Sequence, residues 1–434
     1  MTFRKTIFWG HLAAGLLAGL AIGIMCFTGT ILAFEKPLVA WSERDARQIT
    51  LPAPGTPRLT FAEMQAKLPA AQPAARPQNI VLQNDPRAAV AFTTGRSGGF
   101  YVNPYTGEVR QPQSAAMGEF MHTMTDLHRS LGFRGQESRT RGQLINGICN
   151  LAFFVLAVTG IYLWWPRKWR TKGLRRSLWF VRASGKARDW NWHNVIGLWT
   201  SPVLIVLTLT AIPISFRWGA TLIYTVTGTE APAANTGPGV AAAATPPAVT
   251  VTPPSLDAKP LPLDALIATV QKQTPDWQTL TLRTGNAGSA GAARPAAAAP
   301  AEGVAPSPGR TIENRVTERG DSSASKIGNP ITAVTLTVRE STSWPRTANT
   351  TLTVNPYTGE ILKRTGYADL NAAQRLRAWT RFLHTGEALG WPGQLAAGLA
   401  CLGALVLVYT GFALSWRRFF GRRPQPETAA PARA

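Results

Sequence analysis

Five histidines occur in the 434 residues of this chain, and four of them stand where imidazole chemistry carries information. His11 and His193 open two long apolar stretches, while His128 and His384 precede two others. Neutral imidazole is both a hydrogen-bonding group and a metal ligand. Two imidazoles on facing helices supply the axial set of a b-type haem, which a helical bundle can hold in its core. Two histidines at each end of a four-helix bundle therefore match two bis-His b-type haems, one near each membrane face. At ~1.5 Å of rise per residue, haems at the two ends of a ~23-residue span lie on the order of 20–25 Å apart. The fifth, His122, lies six residues before His128, and Ala378 takes its place in the second half. The competing reading of each histidine is an interfacial hydrogen bond. Spacing alone leaves open how the imidazoles pair and whether His122 replaces His128. Arg129 and Arg381 are placed either to pair with haem propionates or to snorkel at the interface. None of the three cysteines stands in a CxxCH or CxxC arrangement, which excludes c-type haem and cysteine-ligated zinc or iron–sulfur centres.

The elements that must position these residues are apolar helices. Four segments, 11–34, 141–165, 193–216 and 393–416, are long enough to cross a bilayer at ~20 residues per span. Their apolar cores carry no Asp, Glu, Lys or Arg, unlike most buried soluble helices. The first is read as an uncleaved signal anchor, since its apolar run exceeds a signal peptide's and no small-x-small site precedes Glu35. Gly15, Gly19 and Gly23 follow His11 at helical spacing, and Gly197 and Ser201 follow His193. These stripes suit either close helix contact or a haem wall. Asn146 and Asn150 should face the bundle interior.

Composition agrees with a membrane chain. There are 45 Lys+Arg against 23 Asp+Glu, a net +22, yet only 16% of residues are charged, 45% are hydrophobic and 15 are Trp. A soluble basic protein needs more charge to solvate its surface. The excess is concentrated in the segment before the first span, the loop 166–192 and the tail 417–434, which together hold 16 basic and 2 acidic residues. By the positive-inside rule those three segments are cytoplasmic, so both termini are inside and the long connections 35–140 and 217–392 are outside. This charge orients the chain and meets anionic lipid, and nucleic acid is dropped as a partner. The expected location is a bacterial inner membrane.

Val-Asn-Pro-Tyr-Thr-Gly-Glu occurs at 102–108 and again at 354–360. Leu127-His128-Arg129-Ser130-Leu131-Gly132 resembles 383–390, Thr159-Gly160 resembles Thr410-Gly411, and both His11 and His193 follow tryptophan-rich leads. The chain reads as an internal duplication of span, outer domain and span. Each outer domain is expected to be α+β. Its helix lies at 59–68 or 263–273, and its strands at 80–83, 88–93 and 99–102 or at 279–283, 331–338 and 350–354. The repeated Asn-Pro-Tyr-Thr-Gly-Glu forms a hairpin turn, with Gly supplying φ > 0. A further helix precedes the second span. The Ala/Pro-rich tracts 231–255 and 285–309 are read as linkers.

LHRSLG before a span, the TGIYLWWPR ending, WHNVIGLW and LHTGEALG together resemble the PepSY-associated transmembrane proteins, also called iron-regulated inner-membrane proteins. The resemblance covers nearly the whole chain apart from the low-complexity tracts and the tail. It implies a four-span bundle with two PepSY-like extracytoplasmic domains. It also implies two haem b groups held by His11, His128, His193 and His384, and reduction of a periplasmic ferric siderophore to release Fe(II). No dinucleotide fingerprint is present, so electrons would come from quinol or a cytoplasmic reductase. The alternative is a module that binds peptide or restrains a peptidase, without redox activity. A transporter is disfavoured, because the span cores carry no charge for coupling.

Overall fold

The computed structural model describes residues 2–68, 77–93, 99–111, 115–166, 171–231, 249–255, 257–284 and 331–421. The tract 285–309, most of 231–255, part of the basic loop and most of the tail lie outside the described residues. In chain order the first half contains α1 (Phe3–Leu32), α2 (Glu35–Ser42), α3 (Arg44–Arg47), α4 (Phe61–Ala66), β1 (Asn79–Gln83), β2 (Val90–Thr93), β3 (Gly99–Val102), β4 (Val109–Arg110), α5 (Ala115–Ser130) and α6 (Gln136–Trp164). After α7 (Thr171–Leu178), the second half contains α8 (Gly185–Ser215), α9 (Arg217–Thr227), β5 (Thr250–Val251), α10 (Leu263–Gln273), β6 (Trp277–Arg283), β7 (Ile331–Thr332), β8 (Val334–Glu340), β9 (Thr350–Val354), β10 (Ile361–Thr365), α11 (Ala372–His384) and α12 (Trp391–Phe419).

The long helices α1, α6, α8 and α12 have mean hydropathy of 2.0–2.1 and are long enough to cross a membrane. They extend past the expected spans, α6 by starting at Gln136 and α8 by starting at Gly185. Helical hydrogen bonding has no reason to stop where the side chains become polar. Helices α1 and α8 each pack against both α6 and α12, so α1 and α8 stand on one diagonal. Side-chain size sorts by face. Small residues fill the interior (Ala18, Gly19, Ala157, Ala397, Ala400 and Ala404), whereas Leu17 and Leu20 are 89% and 75% exposed. That is the arrangement of helices whose outer face meets lipid and whose inner faces must approach closely.

The connections between spans one and two and between spans three and four build an antiparallel sheet of eight strands, ordered β10-β9-β8-β6-β1-β2-β3-β4. The two outer domains expected from the repeat are therefore joined. β1 pairs with β6 in the register Ile80↔Leu282 and Leu82↔Leu280, and a single core runs from Phe92 and Ile80 through Leu280 to Leu336 and Leu352. The physical reason is the edge. Each four-strand half would leave β1 or β6 with an unpaired row of N–H and C=O groups, and pairing the two edges removes both. Helices α4 and α10 pack together, and the Asp264 carboxylate of α10 accepts from the Phe61 N–H at the start of α4 at 3.2 Å. Five of the six expected strands are found; the run 331–338 is instead divided into β7 and β8, which join different sheets, and β5 falls within the tract 231–255 read as a linker, because its backbone pairs with β7. β4 and β10 lie at the two edges of the large sheet. A small two-stranded sheet joins β5 to β7.

The repeated hexapeptide is a hairpin loop in both halves. Asn103 Oδ1 accepts from Tyr105 N, and Asn355 Oδ1 from Tyr357 N, each at 2.9 Å. Gly107 and Gly359 take φ of 73° and 75°, which glycine adopts without steric cost. Pro104 O and Pro356 O then accept from Leu59 N and Leu261 N, each at 2.7 Å, tying the loop to the segment that leads into α4 or α10. After the first span, Glu43 accepts from Arg47 at 2.6 Å and from the Tyr101 hydroxyl at 2.8 Å. Burial pushes the Tyr101 phenol up, so it stays protonated and donating.

Truncating one fully buried side chain of a shared core should loosen both halves. Leu280→Ala is expected to cost about 2–5 kcal/mol and to lower amide-exchange protection in β1 and β2 as well as β6 and β8. Loss confined to β6, β8 and β9, read by hydrogen-exchange mass spectrometry, would show two independent domains instead.

Candidate functional site

The four histidines of interest are brought into two pairs. His128 ends α5, which packs on α1, and His384 ends α11, which packs on α8. Their ring centres lie 6.3 Å apart with the planes at 51°. At a metal–imidazole bond of about 2.0–2.1 Å, two imidazoles sharing one ion have ring centres about 6 Å apart. His11 and His193, on the diagonal helices α1 and α8, are near enough to interact electrostatically at the other end of the bundle. Thr28, which touches His128, is seventeen residues beyond His11 on the same helix. The two pairs are thus about 25 Å apart along α1.

Each imidazole uses its Nδ1. His11 Nδ1 meets Thr159 Oγ1 at 2.9 Å, and His193 Nδ1 meets Thr410 Oγ1 at 2.9 Å. His128 Nδ1 lies 2.9 Å from Thr28 Oγ1 and 3.1 Å from Met25 O. His384 Nδ1 lies 2.9 Å from Leu207 O and 3.4 Å from Thr210 Oγ1. A hydroxyl has one proton, and every one of these threonines donates it to the carbonyl four residues back in its own helix. The partners are Ile24 O for Thr28 (2.7 Å), Val155 O for Thr159 (2.6 Å), Val206 O for Thr210 (2.6 Å) and Val406 O for Thr410 (2.8 Å). The Met25 and Leu207 carbonyls can only accept, and Leu407 offers a further carbonyl to His193. His128, His384 and His193 therefore carry their proton on Nδ1 and present the lone pair of Nε2, and the back-bonded Thr159 oxygen favours the same tautomer at His11. No hydrogen bond to any of these Nε2 atoms is found among the described residues.

A glycine lies beside three of these rings. A Cβ added at Gly160 would lie 3.6 Å from His11 Cε1, and one at Gly411 would lie 3.7 Å from His193 Cε1. One at Gly29 would lie 3.3 Å from both His128 Cε1 and Cys401 Sγ. In the repeated Thr-Gly pair of spans two and four, the threonine meets an imidazole Nδ1 and the glycine lies beside the same ring, at a distance where a Cβ would make ordinary contact. The stripe of Gly15, Gly19 and Gly23 has the other role the sequence allowed. A Cβ at Gly19 would meet the Phe412 ring at 2.8 Å, and those at Gly15 and Gly23 would contact Leu156 and Val408. That stripe packs against neighbouring helices. Gly197 likewise faces Leu407, and Ser201 is buried.

The remaining sequence candidates divide. Arg129 lies within electrostatic reach of both His128 and His384. Arg381 is exposed with its guanidinium 5.8 Å from the Phe382 ring centre, so the structure brings Arg129 and not Arg381 to the pair. His122 is exposed and pairs with Asp126 at 3.3 Å; it stands off the face that carries His128. Asn146 and Asn150 are buried as expected. Asn146 donates to His128 O at 2.9 Å and Asn150 to Thr208 O at 3.0 Å, while Asn146 Oδ1 is buried without a partner among the described residues.

Sequence reasoning missed Thr28 and Thr210 as imidazole partners. A signal was present, since each stands seventeen residues beyond the first histidine of its own helix. It also missed Asp189, which is fully buried and pairs with Arg188 at 2.9 Å and with Arg417 of α12. Asp189 lies just before the expected third span, one helical turn from His193, and its partner Arg417 is more than two hundred residues away.

Thr159→Val should release the tautomer of His11 by removing an interaction of about 0.5–1.5 kcal/mol. Selective ¹⁵N-histidine NMR of the detergent-solubilised protein is expected to show mixed Nδ1-H and Nε2-H forms at His11 and unchanged shifts at His128 and His384. An unchanged His11 spectrum would contradict the assignment.

No curated protein matches the chain. The sequence pattern of the PepSY-associated TM region matches residues 8–418, nearly the whole chain with all four long helices and the sheet between them, and the chain belongs to the PepSY-associated transmembrane family.

Proposed function

We propose that this protein is a di-haem b electron-transfer protein of a bacterial inner membrane that reduces a ferric siderophore, or another ferric chelate, on the periplasmic side for iron uptake. The observation that carries this reading is the set of four imidazoles, paired at the two ends of one bundle, each with Nδ1 facing an acceptor. A neutral imidazole with a free Nε2 is the ligand form that haem iron takes, and Gly29 leaves room beside His128 that a Cβ would crowd. The donor set fits the group. His11 and His193 would hold one haem b, and His128 and His384 the other.

When bound, a b-type haem accepts and gives up one electron. The chain's own residues do the rest. Thr28, Thr159, Thr210 and Thr410 hold each ring in orientation, so little rearrangement accompanies a change of charge. Arg129 places a cation beside the outer pair, suited to a propionate. The lipid-facing leucines and phenylalanines keep water from the bundle. The matching contacts at the two ends and the repeated hairpin loop support an internal duplication of span, outer segment and span. Arg4, Lys5, Arg417 and Arg418 lie at the end that carries both termini, with Arg418 5.0 Å from the ring centres of Phe8 and Trp9. That clustering supports cytoplasmic termini and a periplasmic sheet. Electrons would then run from quinol or a cytoplasmic reductase at His11 and His193 to the chelate beside His128 and His384.

Purified protein is expected to bind two haems per chain, with a Soret shift on reduction. His11→Ala and His193→Ala should each remove the same haem, and His128→Ala and His384→Ala the other. Fewer than two haems in the parent, or retention of both in any of these variants, would overturn the reading. With haem present, chelator-trapped Fe(II) formed from ferric siderophores should fall at least tenfold in His128→Ala.

A further inference from the structure

The loop that joins the second and third long helices is held in one shape by side chains of those helices. Helix α7 ends at Leu178, and the carbonyls of its last turn have no partner within the helix. Three of them are taken by side chains from the bundle. Arg176 O accepts from Asn191 Nδ2 at 2.7 Å, Ser177 O from Trp164 Nε1 at 3.2 Å, and Leu178 O from Trp199 Nε1 at 3.0 Å. The buried Asn191 also donates to Trp179 O at 3.2 Å and accepts from Val181 N at 3.1 Å. Trp164 belongs to α6, and Asn191 and Trp199 to α8. The backbone of 176–181 is therefore fixed to both helices, and so are the points from which its side chains leave.

Those side chains line a pocket of about 540 Å³ formed by Arg175, Trp179, Phe180, Val181 and Arg182. Two guanidiniums thus border one cavity. The only acid in 166–192 is Asp189, and it is taken by Arg188 and Arg417. No carboxylate pairs with Arg175 or Arg182 among the described residues. Two cations held at one cavity without a counter-charge favour an anion between them, and the planar guanidinium fork matches phosphate oxygens. The aromatic lining points to the source of that phosphate. Trp179 and Phe180 are each 60% exposed. The Trp179 ring centre lies 6.2 Å from that of Trp199, which is exposed within the apolar stretch of α8. Indole rings collect at the head-group level of a bilayer, which is where phospholipid phosphates lie. A free phosphate would use the arginines alone and leave the rings uncovered, whereas a phospholipid also covers Trp179, Phe180 and Trp199 with its glycerol and first acyl carbons.

We propose that this pocket binds one anionic phospholipid as a stoichiometric ligand, with its phosphate between Arg175 and Arg182. This differs from the diffuse attraction of a basic segment for an anionic surface, because it assigns the lipid to two arginines on a fixed backbone. Arg4 of the N-terminal segment donates to Trp165 O at 3.1 Å, so the site lies on the membrane face that carries the N-terminus. Which leaflet that is rests on the orientation proposed above; the binding does not, and it is independent of the haem reading.

The delipidated full-length protein in detergent would be mixed with phosphatidylglycerol or phosphatidylethanolamine, and bound lipid counted by native mass spectrometry. One phosphatidylglycerol per chain is expected to be retained, at least fivefold more than phosphatidylethanolamine. Arg175→Gln and Arg182→Gln should each lower that retention at least fivefold. Lys186→Gln, which removes an exposed charge of the same loop outside the pocket, should leave it unchanged. In the parent protein, a photoactivatable phosphatidylglycerol should label 175–182 or Trp199, a readout that needs no variant to fold. Equal retention of the two lipids, unchanged retention in both arginine variants, an equal loss in Lys186→Gln, or labelling elsewhere would overturn the proposal. Displacement of phosphatidylglycerol by millimolar inorganic phosphate, but not by chloride at the same ionic strength, would reveal a free-phosphate site and overturn the lipid assignment.

Discussion

A threonine hydroxyl has one proton, and in this protein four of them spend it on the carbonyl one turn back in their own helix. Everything at the candidate site follows from that commitment. The oxygen left facing each imidazole then accepts, which favours donation from Nδ1 and leaves the second nitrogen basic. A serine or threonine that back-bonds within a helix is usually a minor feature that slightly bends it. Here the same bond turns an accepting oxygen towards a neighbour on another helix, with a main-chain carbonyl beside it at His128 and His384. The arrangement recurs at two levels about 25 Å apart along α1.

The constraint works only if the helices hold their positions, and two different kinds of packing ensure that. Within the bundle, alanines and glycines let the backbones approach, and Gly19 beneath Phe412 and Gly398 beneath Phe34 are contacts a side chain would prevent. At the outer end the imidazoles are not on the spans. They close two shorter helices, α5 and α11, which lead from the sheet back into α6 and α12. The rings are therefore placed jointly by the bundle and by the sheet. Joining the halves through β1 and β6 gives both of those helices one common support, where two independent domains would let His128 and His384 move separately.

Much of this was legible in the residues. Apolar length and the absence of charge marked the four spans, alternation marked the strands, and the Asn-Pro-Tyr-Thr-Gly-Glu repeat marked two equivalent turns. These are local signals, set by side-chain period and by backbone conformations that few residue types adopt. The four histidines stood out by number and placement. The glycine stripe after His11 was ambiguous, because a small residue permits close approach without specifying what approaches; the structure places Phe412, Leu156 and Val408 nearest to it. Arg129 and Arg381 looked equivalent, and only the direction in which each side chain leaves its helix separated them.

The sequence by itself determined which segments are apolar enough for a membrane, where the chain turns and which residues can act as ligands, because each depends on a few neighbouring residues. Tertiary structure alone decided the pairing of β1 with β6, the burial of Asp189 against Arg417, and the matching of each histidine to its threonine. In the β1–β6 and Asp189–Arg417 pairs the partners lie about two hundred residues apart, and the histidine–threonine partners lie between 100 and 217 residues apart. No period or propensity encodes a contact at that separation. It exists only once helices and strands have found the packing that buries their small faces and satisfies their edges.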